Sequence, residues 1–245
     1  MKCVILCAGY ATRLWPLTKS KPKPLLEIAG KPIIGHILSK VEKIDELDKI
    51  FIVTNNKFYG NFVNWQKNYK SKKEIKIIND KTKSNEDRLG AIGDIKFTIE
   101  NEKIVDDVLI IAGDNLFEFS LSKLINIFKE KNKSVIALYD VKDKKLAKEY
   151  GIVGIDKNNK LIGFEEKPAE PRSTLASTGV YLYPQNIVKL ISQYIKEGNS
   201  PDKTGSFLVW LYKKRDVYCY TSKKRWYDIG SFEQLEEARK EYKGE

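Results

Sequence analysis

A chain of 245 residues, 42% hydrophobic and 31% charged, is long enough for one large domain with a substantial core, and it shows no linker-like, repetitive or low-complexity block. No run of about 18 apolar residues occurs, which excludes a helical membrane span, and the start MKCVILCAG lacks the layout of a cleaved leader. The net charge of +11 comes from lysines scattered among acids, with only six Arg among 44 basic residues, so it reads as a solvated surface and not as a nucleic-acid stripe.

Apolar runs rich in β-branched residues at 2–8, 49–54, 75–78, 107–112 and 134–139 predict buried strands. Between them, residues 33–43, 58–70, 89–99 and 121–131 have helical spacing; in the last, Leu121, Leu124, Ile125 and Phe128 share one face. This alternation predicts an α/β fold, a Rossmann-like and mainly parallel central sheet with helices on both faces, and ligands beyond the carboxyl ends of the strands. After about residue 140, YGIVGID, KLIGFEEK and STGVYLYP read as shorter strands with a turn at 156–159, a small antiparallel lobe on the same sheet. Helices are expected at 185–196, 205–213 and 231–243. No composition shift marks a boundary, so residues 1–245 are expected to form one domain.

Cys3, Cys7 and Cys219 have no metal-ligand spacing and read as packing residues in a reducing compartment. His36, the lone histidine, falls in the apolar stretch PIIGHILSKV and is expected to have no catalytic task.

The first strand runs through Cys7 and Ala8 into Gly9, Tyr10, Ala11, Thr12, Arg13 and Leu14, where small residues let backbone N–H groups approach a phosphate and Arg13 adds a fixed charge. Lys23 lies between prolines in KPKPLL, which predicts an extended, restrained segment. Two cations would then converge on one polyphosphate. The Walker spacing is absent. Asp114, in GDN at 113–115, falls at the end of a strong strand, where a parallel sheet meets its ligands.

Over some thirty residues, ILCAGYATRLWPLTKSKPKPLLEIAGKPII resembles the nucleotidyltransferase family of sugar-nucleotide pyrophosphorylases, most closely its glucose-1-phosphate thymidylyltransferase-like branch. The resemblance continues through RLGAIGD at 88–94, GDN, YGIV at 150–153, EEKP at 165–168, TGVYLY at 178–183 and WYDIGS at 226–231. It implies a GT-A-like nucleotidyltransferase fold, with residues 1–140 as the nucleotide-binding half and 141–245 as the sugar-phosphate-binding half. Asp114 and Asp228 would hold Mg²⁺, a hard cation suited to carboxylate and phosphate oxygens. Lys167 matches the residue on the sugar phosphate and Glu166 a sugar-hydroxyl acceptor. Asn115, Gly151, Ser177, Thr178 and Gly179 match the sugar-phosphate pocket, where small residues would leave room for a hexose ring.

The reaction implied is attack by a sugar-1-phosphate oxygen on the α-phosphorus of a nucleoside triphosphate, with pyrophosphate leaving. The nucleophile is already ionised near neutral pH, so alignment and charge neutralisation by Arg13, Lys23, Asp114, Lys167 and Asp228 would carry catalysis. Two departures stand out. Ala11 replaces the second glycine of the loop, so a left-handed backbone there would carry a cost. The base-reading segment offers Asn79, Arg88 and Gly90 instead of the branch's glutamine and glycine, which leaves dTTP, UTP, CTP and GTP open. The expected partners are a nucleoside triphosphate and a sugar-1-phosphate, in the cytoplasm, without nucleic acid or membrane and with a homo-oligomer left open. Competing readings are a same-fold enzyme that activates phosphocholine or a heptose phosphate, and a non-catalytic nucleotide or sugar-phosphate sensor.

Overall fold

Along β1 (Lys2–Leu6), Cys3 and Ile5 enter one cluster of buried side chains while Val4 enters another, the two-residue period of a strand buried on both faces. The computed structural model describes residues 1–244. After β1 come a short hairpin of β2 (Glu27–Ile28) and β3 (Lys31–Pro32), then α1 (Ile33–Val41), β4 (Lys49–Thr54), α2 (Tyr59–Asn68) and β5 (Glu74–Asn79). Next are α3 (Ala91–Asn101), β6 (Val108–Ala112), β7 (Asn115–Phe117), α4 (Ser122–Lys131), β8 (Ser134–Asp140) and the single turn α5 (Lys144–Ala147). The second half adds β9 (Gly151–Ile155), β10 (Leu161–Glu166), β11 (Leu175–Tyr183), α6 (Gln185–Val188), α7 (Leu190–Lys196) and α8 (Thr204–Tyr212). It ends with β12 (Val217–Ser222), β13 (Trp226–Asp228) and α9 (Phe232–Glu241).

The main sheet has the order β10-β9-β11-β6-β1-β4-β5, with β8 also pairing β11 and β12 pairing β8. Strands β6, β1, β4 and β5 are parallel, and β11 enters antiparallel beside β6. The sheet is therefore continuous across the chain's two halves. Buried side chains of α1, α2, α4 and α9 join the cluster on one face, and those of α3, α7 and α8 the cluster on the other. Leu121, Leu124, Ile125 and Phe128 are all buried, as their spacing required. Each such side chain removed from water contributes roughly 1.5–3 kcal/mol.

The predicted α/β architecture is the one observed, with the antiparallel hairpin of β9 and β10 turned at Asp156, whose carboxylate accepts from the N–H groups of Asn158 and Lys160. Two local expectations are corrected. The helix expected at 185–196 is divided at Lys189. Lys23 does not sit in an extended segment: Pro22 is extended, but Lys23–Leu25 closes into a 3₁₀ turn because Pro24 suits the first turn of a helix. The three cysteines are free and buried, and burial pushes their thiols up. His36 is buried in α1 and donates to the carbonyl of Ile28 at 2.7 Å. Among the described residues, no helix is long and apolar enough to cross a membrane.

Candidate active site

Beyond Leu6 the chain leaves the sheet but stays pinned to β4. Cys7 N–H donates to Val53 O at 2.8 Å, and the buried Asn55 amide donates to Ala8 O at 2.8 Å. Gly9 is exposed, and Ala11 takes the left-handed conformation, φ 47° and ψ 43°, before the 3₁₀ turn Thr12–Leu14. Thr18 Oγ1 holds that bend by donating to Ala11 O at 2.7 Å. The conformation costs an L-residue roughly 1–2 kcal/mol. Ala11→Gly removes this strain and adds about 0.4–1 kcal/mol of unfolded-state entropy, so a net stabilisation below about 1 kcal/mol is expected from urea unfolding. A destabilised variant would mean that the alanine methyl makes a favourable contact.

The Lys23 ammonium is expected on a triphosphate, but the structure commits it elsewhere. It donates to Asp114 Oδ2 at 2.7 Å and to the carbonyl of Ile229 at 2.8 Å, tying together the two loops that carry the candidate metal acids. Strands β7 and β13 pair so that Asp228 lies opposite Asn115, next in sequence to Asp114. Two carboxyl groups from positions 114 residues apart thus meet at the carboxyl end of β6. Burial followed by the neighbouring Asp114 charge pushes Asp228 up to about 6, against the pull of Lys23, Arg13 and Lys167. Burial acts the same way on Asp114, but the Lys23 ion pair outweighs it and holds that carboxyl below its ordinary value.

These groups border a cleft of about 1150 Å³. Of the candidates from sequence, it brings together Arg13, Asp114, Asn115, Gly151, Glu166, Lys167, Ser177, Thr178, Gly179 and Asp228. Lys167 is exposed and left-handed, with φ 46°, its N–H held by Tyr150 O at 3.0 Å. Its strained backbone lies at the end of β10, where it turns the chain at the cleft rim. Thr178 and Gly179 occupy a register break in β11; a Cβ on Gly179, at φ 74°, would stand 2.8 Å from the Asn115 amide nitrogen. Asn115 is buried and fully engaged, donating to Thr178 O and accepting from the Trp226 indole at 2.9 Å. Thr178 likewise donates inward to Ala137 O at 2.9 Å.

Gly151 also lies against a side chain of the protein itself. A Cβ there would lie 2.5 Å from Cζ of the Phe164 ring, and one on Gly205 would lie 2.6 Å from Cε1 of the same ring. Phe164, Gly205, Lys203, Thr204 and Tyr181 line the cleft and were not among the sequence candidates. Lys203 Nζ pairs with Glu166 Oε1 at 3.1 Å, and the Tyr181 hydroxyl links Thr204 Oγ1 at 2.9 Å to Ser177 Oγ at 3.2 Å. One signal was available: a glycine in the first turn of α8, where it costs about 1 kcal/mol against Ala, marks close packing.

The base-reading candidates separate. Asn79 ends β5 and bonds the Asn56 side chain at 3.0 Å and the N–H of Lys81 at 2.8 Å. Arg88 is exposed and ion-paired with Asp202 at 3.0 Å, while Gly90 is buried against Pro201 and Asp202. Tyr10 is buried, its hydroxyl 3.4 Å from Thr82 Oγ1. None of these four borders the cleft, nor do Ala8, Gly9, Ala11, Thr12 and Lys23.

The cleft's charge inventory bears on a cation. Asp114, Glu149, Glu166, Asp202, Asp228 and Glu233 line it against Arg13, Lys167 and Lys203. Such a wall repels phosphate groups unless positive charge enters with them. The donor set suits Mg²⁺, which binds through one or two carboxylates plus substrate phosphates; no group of three metal-ligating side chains exists among the described residues.

The Bifunctional protein GlmU of Methanocaldococcus jannaschii is 32% identical over 241 residues, 98% of this chain and 54% of that protein. The GlmU of Methanococcus aeolicus is 29% identical over 230 residues. The chain spans about half the length of these curated relatives. A solved structure of a putative glucose-1-phosphate thymidylyltransferase from Bacillus anthracis, in complex with a sucrose, superposes with a TM-score of 0.84 at 25% identity, covering 99% of this chain and 95% of that one. UDP-glucose pyrophosphorylase from Acinetobacter baumannii shares the fold, with a TM-score of 0.79 at 21% identity over 98% of this chain and 92% of that one. The nucleotidyl transferase family profile matches residues 2–245, taking in the Arg13 loop, both acids and Lys167, and the chain belongs to that family of enzymes.

Proposed function

We propose that the chain transfers a nucleotidyl group from a nucleoside triphosphate to a sugar-1-phosphate, releasing pyrophosphate and forming a nucleoside diphosphate sugar. A phosphate oxygen of the sugar-1-phosphate attacks the α-phosphorus in line. The bond from that phosphorus to the bridging oxygen breaks, and its electron pair leaves with pyrophosphate. No side chain needs to remove a proton, since the attacking phosphate is ionised near pH 7. Residues 1–140 form the nucleotide half of this unit and 141–245 the sugar-phosphate half.

The observation that carries the reading is the meeting of Asp114, Asp228 and the Lys23 anchor at the end of β6, in a cleft that also presents Arg13 and Lys167. Asp114 and Asp228 would hold Mg²⁺, which when bound neutralises and orients the triphosphate. The loop Ala8, Gly9, Tyr10, Ala11, Thr12 and Arg13, with Asn79, Arg88 and Gly90 beyond it, receives the nucleotide. Lys23 acts by holding Asp114 in place. Lys167 takes the sugar phosphate, and Glu166, Gly151, Ser177, Thr178 and Gly179 bound the sugar, with Asn115 fixing the bend at Thr178.

A screen of dTTP, UTP, CTP and GTP against a panel of sugar-1-phosphates, read by pyrophosphate release, tests this. Release should require both substrates and should stop when the divalent cation is chelated. If no pair gives release with Mg²⁺ present, the sensor reading replaces this one. Release with phosphocholine but no sugar phosphate would move the activity to the other substrate class.

A further inference from the structure

Outside the cleft, Asp80, just after β5, and Asp94, in the first turn of α3, are both more than nine-tenths buried, and their carboxyl groups lie within interacting range of each other. Asp80 Oδ1 is satisfied by the N–H of Thr82 at 2.7 Å and its hydroxyl at 2.8 Å. Asp80 Oδ2 and Asp94 Oδ1 are buried with no donor from the protein. Two ionised carboxylates cannot remain in that position, because each would be desolvated and unpaired beside a like charge. A proton shared between the two carboxyl groups would satisfy both oxygens.

This pair sits on a line of contacts joining two segments assigned above to the nucleotide. On one side, Asp80 holds Thr82, whose hydroxyl meets Tyr10 of the phosphate loop, while Asp80 N–H donates to Thr54 O at 2.9 Å. On the other, Asp94 N–H donates to Gly90 O at 2.8 Å, and Ala91 N–H to Asp202 O at 2.9 Å. The other titratable groups facing the pair are Cys7 at the end of β1, Tyr10, and Asp87 on the intervening loop.

We propose that Asp80 and Asp94 are positioning residues that share one proton and thereby hold the β5–α3 segment against the phosphate loop in its nucleotide-binding arrangement. This rests on the nucleotide site proposed above. Burial, then the Asp80 charge, pushes Asp94 up to about 8, and burial raises Asp80 too. A carboxyl whose folded value lies above its unfolded value of about 3.9 contributes stability that is complete at acidic pH and is lost as pH rises through the folded value. The tie therefore weakens in mild alkali.

Asp94→Asn tests it, because an amide N–H replaces the shared proton and does not titrate. Binding of the four triphosphates with Mg²⁺ is measured by titration calorimetry at about pH 6.5 and 9.5, with kcat and KM for any pair that turns over. For the wild type, Kd and KM for the triphosphate should rise about tenfold over this range, with kcat nearly constant, the linkage of one proton held about tenfold more tightly in the nucleotide-binding arrangement. The variant should change less than about threefold. In the absence of ligand, the wild-type urea midpoint should fall with pH relative to the variant. Parallel pH profiles of wild type and variant, in binding or in urea, overturn the proposal. If Asp94→Asn does not fold, Asp80→Asn, which keeps an oxygen for Thr82, must show the same flattening. No binding of any triphosphate at either pH would remove the positioning role together with the proposed function, while the urea profiles still decide whether the proton is shared.

Discussion

Replacing Asp114 by alanine is expected to lower turnover in the pyrophosphate assay at least about a hundredfold, equivalent to about 2.7 kcal/mol of lost transition-state stabilisation. Three losses coincide at this residue. A carboxylate that can take the metal disappears, the Lys23 ammonium loses its 2.7 Å partner, and Asp228 loses the neighbour that shares its positive surroundings. The last two alter where Lys23 and Asp228 rest, so effects at these sites should not add. An Asp114→Ala, Lys23→Met double variant is expected to be only slightly slower than Asp114→Ala alone. Thermal unfolding of each protein separates loss of chemistry from loss of fold. Activity within a few-fold of wild type in a folded Asp114→Ala protein would remove this acid from the mechanism.

The second large effect is on stability. Gly90→Ala should destabilise the protein by about 3 kcal/mol, lowering its melting temperature by roughly 10 °C. Gly90 has φ 80° and ψ 165°, a region essentially closed to residues with a Cβ. The added methyl would also lie 2.5 Å from Asp202 Cα and 2.7 Å from Pro201 O, and backbone atoms cannot swing aside as a side chain does. Gly198→Ala provides the comparison. Its φ is 82°, yet nothing stands within 4 Å of where a Cβ would lie, so it should cost only the conformational penalty of roughly 1–2 kcal/mol. Equal losses in the two variants would show that the packing of α3 against the 201–202 loop contributes nothing at Gly90.

What the sequence made legible, and what it hid, divides along physical lines. Strands β1, β4, β6 and β8 were readable because burial on both faces leaves near-continuous apolar runs, the edge strand β5 only through its short run IKII, and α4 because Leu124, Ile125 and Phe128 repeat at helical steps. The β7–β13 pairing was not readable. It joins Asn115 to Asp228 through two three-residue strands, too short for any period, and without the family resemblance nothing local connects them. The Asp80–Asp94 contact was hidden for a related reason, since a charged residue in an amphipathic segment is ordinarily assigned to the solvated face. Lys23 was misread locally because the residue before a proline is biased toward extension, whereas a proline in the first turn suits a helical start, and tertiary packing of Pro24 and Leu25 decided between them. The cleft's loop cation and acids stood out through motif chemistry, whereas Lys203 carries no motif, and Tyr181, though it falls within TGVYLY, is an apolar-run residue that reaches the cleft only through the path of β11.

The tip of the Phe164 ring, packed against both Gly151 and Gly205, constrains how this cleft can change over time. Positions 151, 164 and 205 share a single volume, so neither glycine can vary while the ring is unchanged. A methyl at either glycine is excluded while the ring is present and becomes admissible once the ring is replaced by a smaller side chain, so the order of substitutions matters. Drift in the shape of this end of the cleft would therefore proceed through Phe164 first, with the two glycines free to follow.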